Sequence, residues 1–102
     1  PTDLVIIPKM SIKTIEILRM STDTFLIKDP KEVNSKYKKI RKQDDVIDDL
    51  NTDVRGRLIQ LMKNKPHEIE RATYLLWVAH NLERIADRGL NIAERSMQLV
   101  GN

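Results

Sequence analysis

Residues 72–100 read ATYLLWVAHNLERIADRGLNIAERSMQLV, and apolar or small residues recur in this segment with a period of seven. Four of every seven positions are apolar or small. That pattern predicts a helix whose apolar face is wider than one neighbouring helix covers. The rows of the face are Ala72, Ala79, Ala86, Ala93 and Val100; Leu76, Glu83, Leu90 and Met97; Val78, Ile85, Ile92 and Leu99; and Leu75, Leu82, Gly89 and Ser96.

Two breaks upstream of this helix divide the chain into three segments. Pro30 and Pro66 each stand where a helix begins, because proline is favoured at the first helical position. The middle segment has one apolar stripe at alternating intervals of four and three residues. The first segment is less regular and has two stripes, so the sequence does not decide which face is buried. One stripe contains Leu4, Ile7, Ile15, Leu18 and Phe25, the other Ile6, Met10, Ile17, Met20 and Ile27. Pro8 marks either a kink in the first helix or its start.

The helical periods and short connections predict an all-α fold, an antiparallel three-helix bundle with helices over about 3–28, 31–63 and 66–100. The 102 residues are treated as a single domain, 1–102. Three glycines and four prolines are too few for the turns of an all-β domain.

Composition excludes several kinds of site and partner. The chain has no cysteine, which removes disulfides and thiolate ligands and fits a cytoplasmic protein. The longest apolar run, residues 74–79, is far shorter than a membrane span. Eighteen basic and fifteen acidic residues leave a net charge of only +3. The one basic cluster, within residues 31–42, is typical of a solvated helix face, so no nucleic-acid binding is predicted.

Polar residues interrupt the apolar stripes at core-edge positions, Asp44 and Asn51 on the second helix and Glu83 on the third. Asp44 is followed by Asp48, and Glu83 by Asp87, each four residues later, where like charges on one helix repel by a few tenths of a kcal/mol. In an antiparallel hairpin turning near residue 65, positions whose numbers sum to about 131 lie at one level. The pairs 44 with 87 and 48 with 83 both meet this condition, so the four carboxylates are expected side by side.

Three interpretations of this cluster remain open from the residues alone. Oxygen ligands on facing helices suit hard cations such as Mg²⁺, Mn²⁺, Ca²⁺ or iron better than zinc. Arginines of a neighbouring helix could neutralise the same carboxylates as an ion-pair network. A catalytic acid and base pair is the third interpretation, although no nucleophile stands beside a base.

A resemblance to a known family adds to this. Residues 82–94, LERIADRGLNIAE, resemble the run L-E-R-I-G/A-D-H/R-x-x-N-I-A-E of the PhoU family. Residues 44–50, DDVIDDL, are similar to the family's D-x-x-I-D motif. The resemblance implies a PhoU-type helical repeat and a non-enzymatic cytoplasmic regulator of phosphate uptake and phosphate-starvation signalling.

By the same resemblance, the partners are the ATPase of a phosphate ABC transporter and a sensor histidine kinase, with only peripheral membrane association. The implied cofactor is a metal ion, either iron, Mn or Mg. Its implied ligands are Asp44, Asp48, Glu83, Asp87 and Asn91, and the implied partner contacts are Arg84 and Arg88.

The chain departs from the family pattern because it holds one repeat where the family usually has two. It is therefore either a fragment, half of a two-repeat protein, or a small member that forms a homodimer. Two alternative functions remain. The chain is either a cytoplasmic PhoU-like domain of a sodium/phosphate cotransporter or other larger protein, or a metal-dependent phosphohydrolase. The wide apolar face of the third helix favours an additional partner surface.

Overall fold

The computed structural model of the chain describes residues 3–101, so residues 1, 2 and 102 of the predicted domain 1–102 lie outside the described residues. Its elements are α1 (Asp3–Phe25), α2 (Pro30–Asn64), a short 3-10 helix (Pro66–Glu68) and α3 (Ile69–Gly101). All three α-helices pack against one another, which confirms the predicted all-α antiparallel bundle. The bundle is a rod whose Cα atoms extend over 54 × 17 × 15 Å.

The start of α2 follows the predicted proline rule. Pro30 is the first helical residue, and Asp29 before it is extended, with φ −77° and ψ 117°. The Asp29 side chain accepts a hydrogen bond from the amide of Lys31 at 3.3 Å. This N-cap satisfies one of the free amides of the first turn of α2.

The end of α1 lies three residues before the predicted boundary at residue 28. The amides of Leu26 and Ile27 donate to carbonyl oxygens three residues earlier, and these tighter bonds close the helix after Phe25. Pro8 lies inside α1, so the helix begins before it. Its missing amide removes a single helical hydrogen bond near the N-terminal end.

The core runs along the common axis of the three helices. In α1 the stripe that contains Ile6 and Met10 is buried, whereas Ile15 and Phe25 of the competing stripe are more than half exposed. The buried apolar residues are Ile6, Met10 and Ile17 of α1, Val33, Ile40, Ile47, Val54 and Leu58 of α2, and Ala72, Ala79, Ala86 and Ala93 of α3.

Small residues on α3 allow α1 to approach closely. A Cβ atom added at Gly89 would lie 2.8 Å from Cγ2 of Ile17 and 3.4 Å from Oγ of Ser21. The first distance is below van der Waals contact, and Ile17 is fully buried. The spacing of α1 and α3 at this level therefore depends on glycine.

Two alanine substitutions test this packing. Gly89→Ala is expected to lower the free energy of unfolding by about 1–2 kcal/mol, because the overpacking penalty exceeds the gain in helix propensity. Gly56→Ala, at an exposed α2 position with no atom within 4 Å of the added Cβ, is expected to raise it by about 0.5–1 kcal/mol. Denaturant unfolding of both variants measures the difference. A shift in the same direction for both would contradict the close approach.

One row of the wide α3 face is only partly covered by α1 and α2, and its member Ile92 is half-buried. Val78 is 41% exposed, Ile85 40% and Leu99 55%. Gly89 of α3 packs against Leu18 of α1. Ile85 precedes Gly89 by about one turn, and Ile15 precedes Leu18 by about one turn. The exposed Ile15 therefore lies at about the level of Ile85. We call Ile15, Val78, Ile85 and Leu99 the α1–α3 apolar face.

Candidate metal centre

The antiparallel hairpin of α2 and α3 brings the four predicted carboxylates together. The carboxyl group of Asp44 contacts that of Asp87, and the carboxyl group of Asp48 contacts that of Glu83. These are the pairs whose residue numbers sum to 131. The short connection through Pro66 makes this register follow directly from residue numbering.

Three of the carboxylates form a tight group. Asp44, Asp48 and Asp87 each offer an oxygen atom, and these atoms lie within 4.8 Å of one another. Asp44 is the deepest member, with 5% of its surface exposed, and its Oδ1 atom has no hydrogen-bond partner. Asp48 and Asp87 are more accessible to solvent. The group is therefore closed on the core side and open on the outer side.

Glu83 lies at the edge of the group and is held by a residue that the motif analysis did not assign to the site. The Nδ2 atom of Asn51 donates a hydrogen bond to Oε2 of Glu83 at 3.1 Å. Asn51 is only 4% exposed, and its Oδ1 atom has no partner. Asn51 interrupts the apolar stripe of α2 one heptad after Asp44, as the sequence indicates, but its contact with Glu83 was not predicted.

The remaining predicted residues lie outside the tight group. Asn91 is exposed on α3, one turn beyond Asp87, and is not among the three residues whose oxygens converge. Arg84 and Arg88 are also exposed on α3. The converging oxygens therefore come from the three aspartates alone, and Asn91, Arg84 and Arg88 surround them on the surface of α3.

The ion pairs described within residues 3–101 do not neutralise these carboxylates. They join Arg57 to Asp53 at 2.9 Å and His67 to Glu68 at 3.8 Å. Neither pair includes a member of the carboxylate cluster. No ion pair described within residues 3–101 therefore supports the interpretation that arginines neutralise the carboxylate cluster.

Without a cation, protons are held in the cluster. Burial, together with the charges of Asp48 and Asp87, raises the pKa of Asp44 to about 7. Burial and the adjacent Glu83 raise the pKa of Asp48 to about 6. Both carboxyl groups therefore keep protons at pH values where an exposed aspartate is ionised.

These shifted pKa values predict how stability depends on pH in the presence of a chelator. Between about pH 4 and 7 the folded chain binds more protons at Asp44 than the unfolded chain, so stability falls as the pH rises through this window. Asp44→Asn is expected to remove most of this slope. Urea unfolding at several pH values between 5 and 8 measures it. An equal slope in wild type and variant would contradict the assignment.

The residues fit a hard cation better than a soft one. All donors are carboxylate oxygens on two facing helices, which suits Mg²⁺, Mn²⁺ or iron. The Oδ1 atom of Asp44 is a buried acceptor without a hydrogen-bond partner, and such an atom requires a proton or a cation. A bound cation would also reduce the repulsion between the aspartates of neighbouring turns.

Comparison with known proteins identifies relatives of the chain. The PhoU domain family matches residues 7–96. The chain is 36% identical over 95 residues to a Thermotoga maritima protein, "Phosphate-specific transport system accessory protein PhoU homolog 2", with 92% of this chain and 38% of that protein aligned. It is also 36% identical over 77 residues to the "Phosphate-specific transport system accessory protein PhoU homolog" of Rhizobium meliloti, with 76% and 31% aligned.

No solved structure gives a significant match. The chain spans between about a third and two-fifths of the length of these two relatives. No helix within residues 3–101 combines the length and the hydropathy that a transmembrane span requires.

Proposed function

The chain belongs to the PhoU domain family, and from this membership we propose that it is a regulator of phosphate uptake and phosphate-starvation signalling. It acts through contacts with other proteins and catalyses no reaction. The two relatives are named as accessory proteins of phosphate-specific transport systems, and this supports the proposed process. The family match over residues 7–96 is the observation that carries the proposal.

The second part of the proposal is a metal ion held between α2 and α3. Asp44, Asp48 and Asp87 are the proposed ligands, because their oxygens converge and Asp44 Oδ1 lacks another partner. Glu83, positioned by Asn51, and the more distant Asn91 complete the ligand set of the proposal. A bound cation would supply positive charge that links the two helices and fixes the shape of the outer surface around them.

The proposed partner surface lies beside this centre. Arg84 and Arg88 are exposed one turn apart on α3, next to Glu83 and Asp87. We propose that they contact the ATPase of a phosphate ABC transporter and a sensor histidine kinase in the cytoplasm. Membrane association in this scheme is peripheral and comes through these proteins.

Arginine substitutions test whether this surface serves partners or the fold. Arg84→Ala and Arg88→Ala are expected to change the free energy of unfolding by less than about 0.5 kcal/mol, because both side chains are exposed. The same variants are expected to lose binding to the purified transporter ATPase in a surface-immobilised assay. Arg71→Ala, an exposed α3 arginine more than three turns from Arg84 and more than four from Arg88, is the matched control and is expected to bind normally. Unfolding of the Arg88→Ala variant would instead show a structural role.

The last part of the proposal concerns assembly. The α1–α3 apolar face leaves Val78, Ile85 and Leu99 substantially exposed on one side of the rod. Exposed apolar residues that recur along one side of a helix are typical of an interaction site. We propose that a second copy of the chain covers it, in the way that the second repeat of a longer family member would.

A further inference from the structure

Two large apolar side chains project from the end of the rod at the α1–α2 connection. Leu26 is 78% exposed, more than any other large apolar residue described, and Phe25 beside it is 51% exposed. Leu26 follows the last residue of α1 and is outside the α1–α3 apolar face, whereas Phe25 follows Leu18 by one heptad on the side of α1 that faces α3. Leu26 lies in the tight turn that closes α1, so the turn itself presents it to solvent.

Basic residues surround this connection and continue along α2. Residues 25–42 contain seven basic and two acidic residues, whereas the rest of the chain contains eleven basic and thirteen acidic residues. One of the two acids, Asp29, is engaged as the N-cap of α2. The positive charge of the chain is therefore concentrated in the α1–α2 connection and the first four turns of α2, a segment that begins next to Phe25 and Leu26.

The basic residues receive little compensation within the fold. The ion pairs described for residues 3–101 include none of the lysines or the arginine between 28 and 42. Lys38 and Lys42 are one turn apart on α2 and both exposed, so they repel each other. A surface of opposite charge would relieve this repulsion.

We propose that the α1–α2 end of the rod docks on an anionic lipid bilayer. Phe25 and Leu26 enter the interface between headgroups and acyl chains, and the flanking lysines contact lipid phosphates. Lysine predominates over arginine by six to one in this segment, which suits diffuse attraction to headgroups more than bidentate recognition. An exposed leucine and phenylalanine at the centre of the patch favour a bilayer over a nucleic acid, which offers no apolar interior.

This inference goes beyond the proposed function, in which protein partners bring the chain to the membrane, because it requires lipid alone. Lipid docking can therefore be disproved while the proposed function still holds. Loss of ATPase binding would likewise leave the lipid-docking proposal unaffected.

Vesicle co-sedimentation of the whole chain tests the proposal. The chain is expected to sediment with vesicles of phosphatidylcholine containing roughly one-third phosphatidylglycerol at about 0.1 M salt, at least tenfold more than with phosphatidylcholine alone. Salt near 1 M is expected to release the chain from the vesicles, because the Debye length at this ionic strength is only about 3 Å.

Variants separate the two contributions. Lys28→Gln with Lys31→Gln, the exposed lysines that flank the turn, is expected to lower vesicle binding by on the order of fivefold per lysine. Leu26→Ser is expected to lower it by on the order of tenfold at constant charge. Lys63→Gln with Lys65→Gln, at the opposite end of the rod, is the matched control and is expected to bind like the wild type. All the substituted residues are exposed, so each variant is expected to fold, and circular dichroism checks this.

Insertion has its own spectroscopic readout. In a Trp77→Phe background, Phe25→Trp is expected to give fluorescence that shifts to the blue on anionic vesicles. Three results would overturn the proposal: equal sedimentation with both vesicle types, equal losses in the two double-lysine variants, or tighter binding to an oligonucleotide that Leu26→Ser leaves unchanged.

Discussion

Manganese at about one hundred times its Kd is expected to raise the melting temperature of the chain by roughly 10–20 °C. A ligand that binds only the folded state at this excess adds about 2.7 kcal/mol. A small domain gains about 4–8 °C for each kcal/mol. The proposed ligands Asp44, Asp48 and Asp87 come from two helices, so the folded hairpin is required to bring them together.

Asparagine variants make this prediction specific. Asp44→Asn is expected to melt higher than the wild type at pH 8 in chelator, because it removes a buried carboxylate whose Oδ1 has no partner. The same variant is expected to show no response to manganese. Asp45→Asn, the same change at the exposed neighbouring position, is expected to respond like the wild type. A less stable Asp44→Asn variant, with no metal response in any protein, would support the ion-pair interpretation instead.

Glutamate at the α1–α3 apolar face is expected to weaken self-association more than 100-fold. In Val78→Glu with Ile85→Glu, two charges would have to be buried in the interface, and a 100-fold loss corresponds to about 2.7 kcal/mol. Sedimentation velocity over a range of concentrations measures the dissociation constant. Both residues are about 40% exposed in the single chain, so the variants are expected to remain folded.

The matched control lies on α2. Val46 and Ile59 are exposed to a similar degree, 37% and 43%, but are outside the α1–α3 apolar face. Val46→Glu with Ile59→Glu is expected to associate like the wild type. A wild-type chain that stays monomeric at about 100 μM would contradict a second copy as the occupant of the face.

The sequence predicted the bundle and the meeting of the carboxylates because both depend on local regularities. Heptad spacing determines which face of α3 is buried, and the short connection through Pro66 determines the level at which α2 and α3 residues meet. Asp44 could therefore be placed beside Asp87 by counting residues. Prediction of this kind works when two long helices are joined by few residues.

The buried face of α1 could not be predicted in the same way. Apolar residues occur on both of its stripes, and the buried stripe also includes the polar residues Thr14 and Ser21. The choice depends on packing against small residues of α3, such as Gly89, which a single helix does not reveal. The contact of Asn51 with Glu83 was not predicted because the two numbers sum to 134, so the pair is staggered by three residues from the level rule that placed Asp44 beside Asp87.

Equilibrium dialysis against manganese, followed by elemental analysis, tests the central claim most directly. We expect the wild-type chain to retain at least about one manganese ion per chain, because its oxygen ligands converge. The double variant Asp44→Asn, Asp87→Asn is expected to retain almost none. The double variant Asp45→Asn, Asp49→Asn has the same charge at exposed positions and is expected to retain as much as the wild type. Equal metal content in all three proteins, or none in the wild type, would contradict a metal centre at Asp44, Asp48 and Asp87.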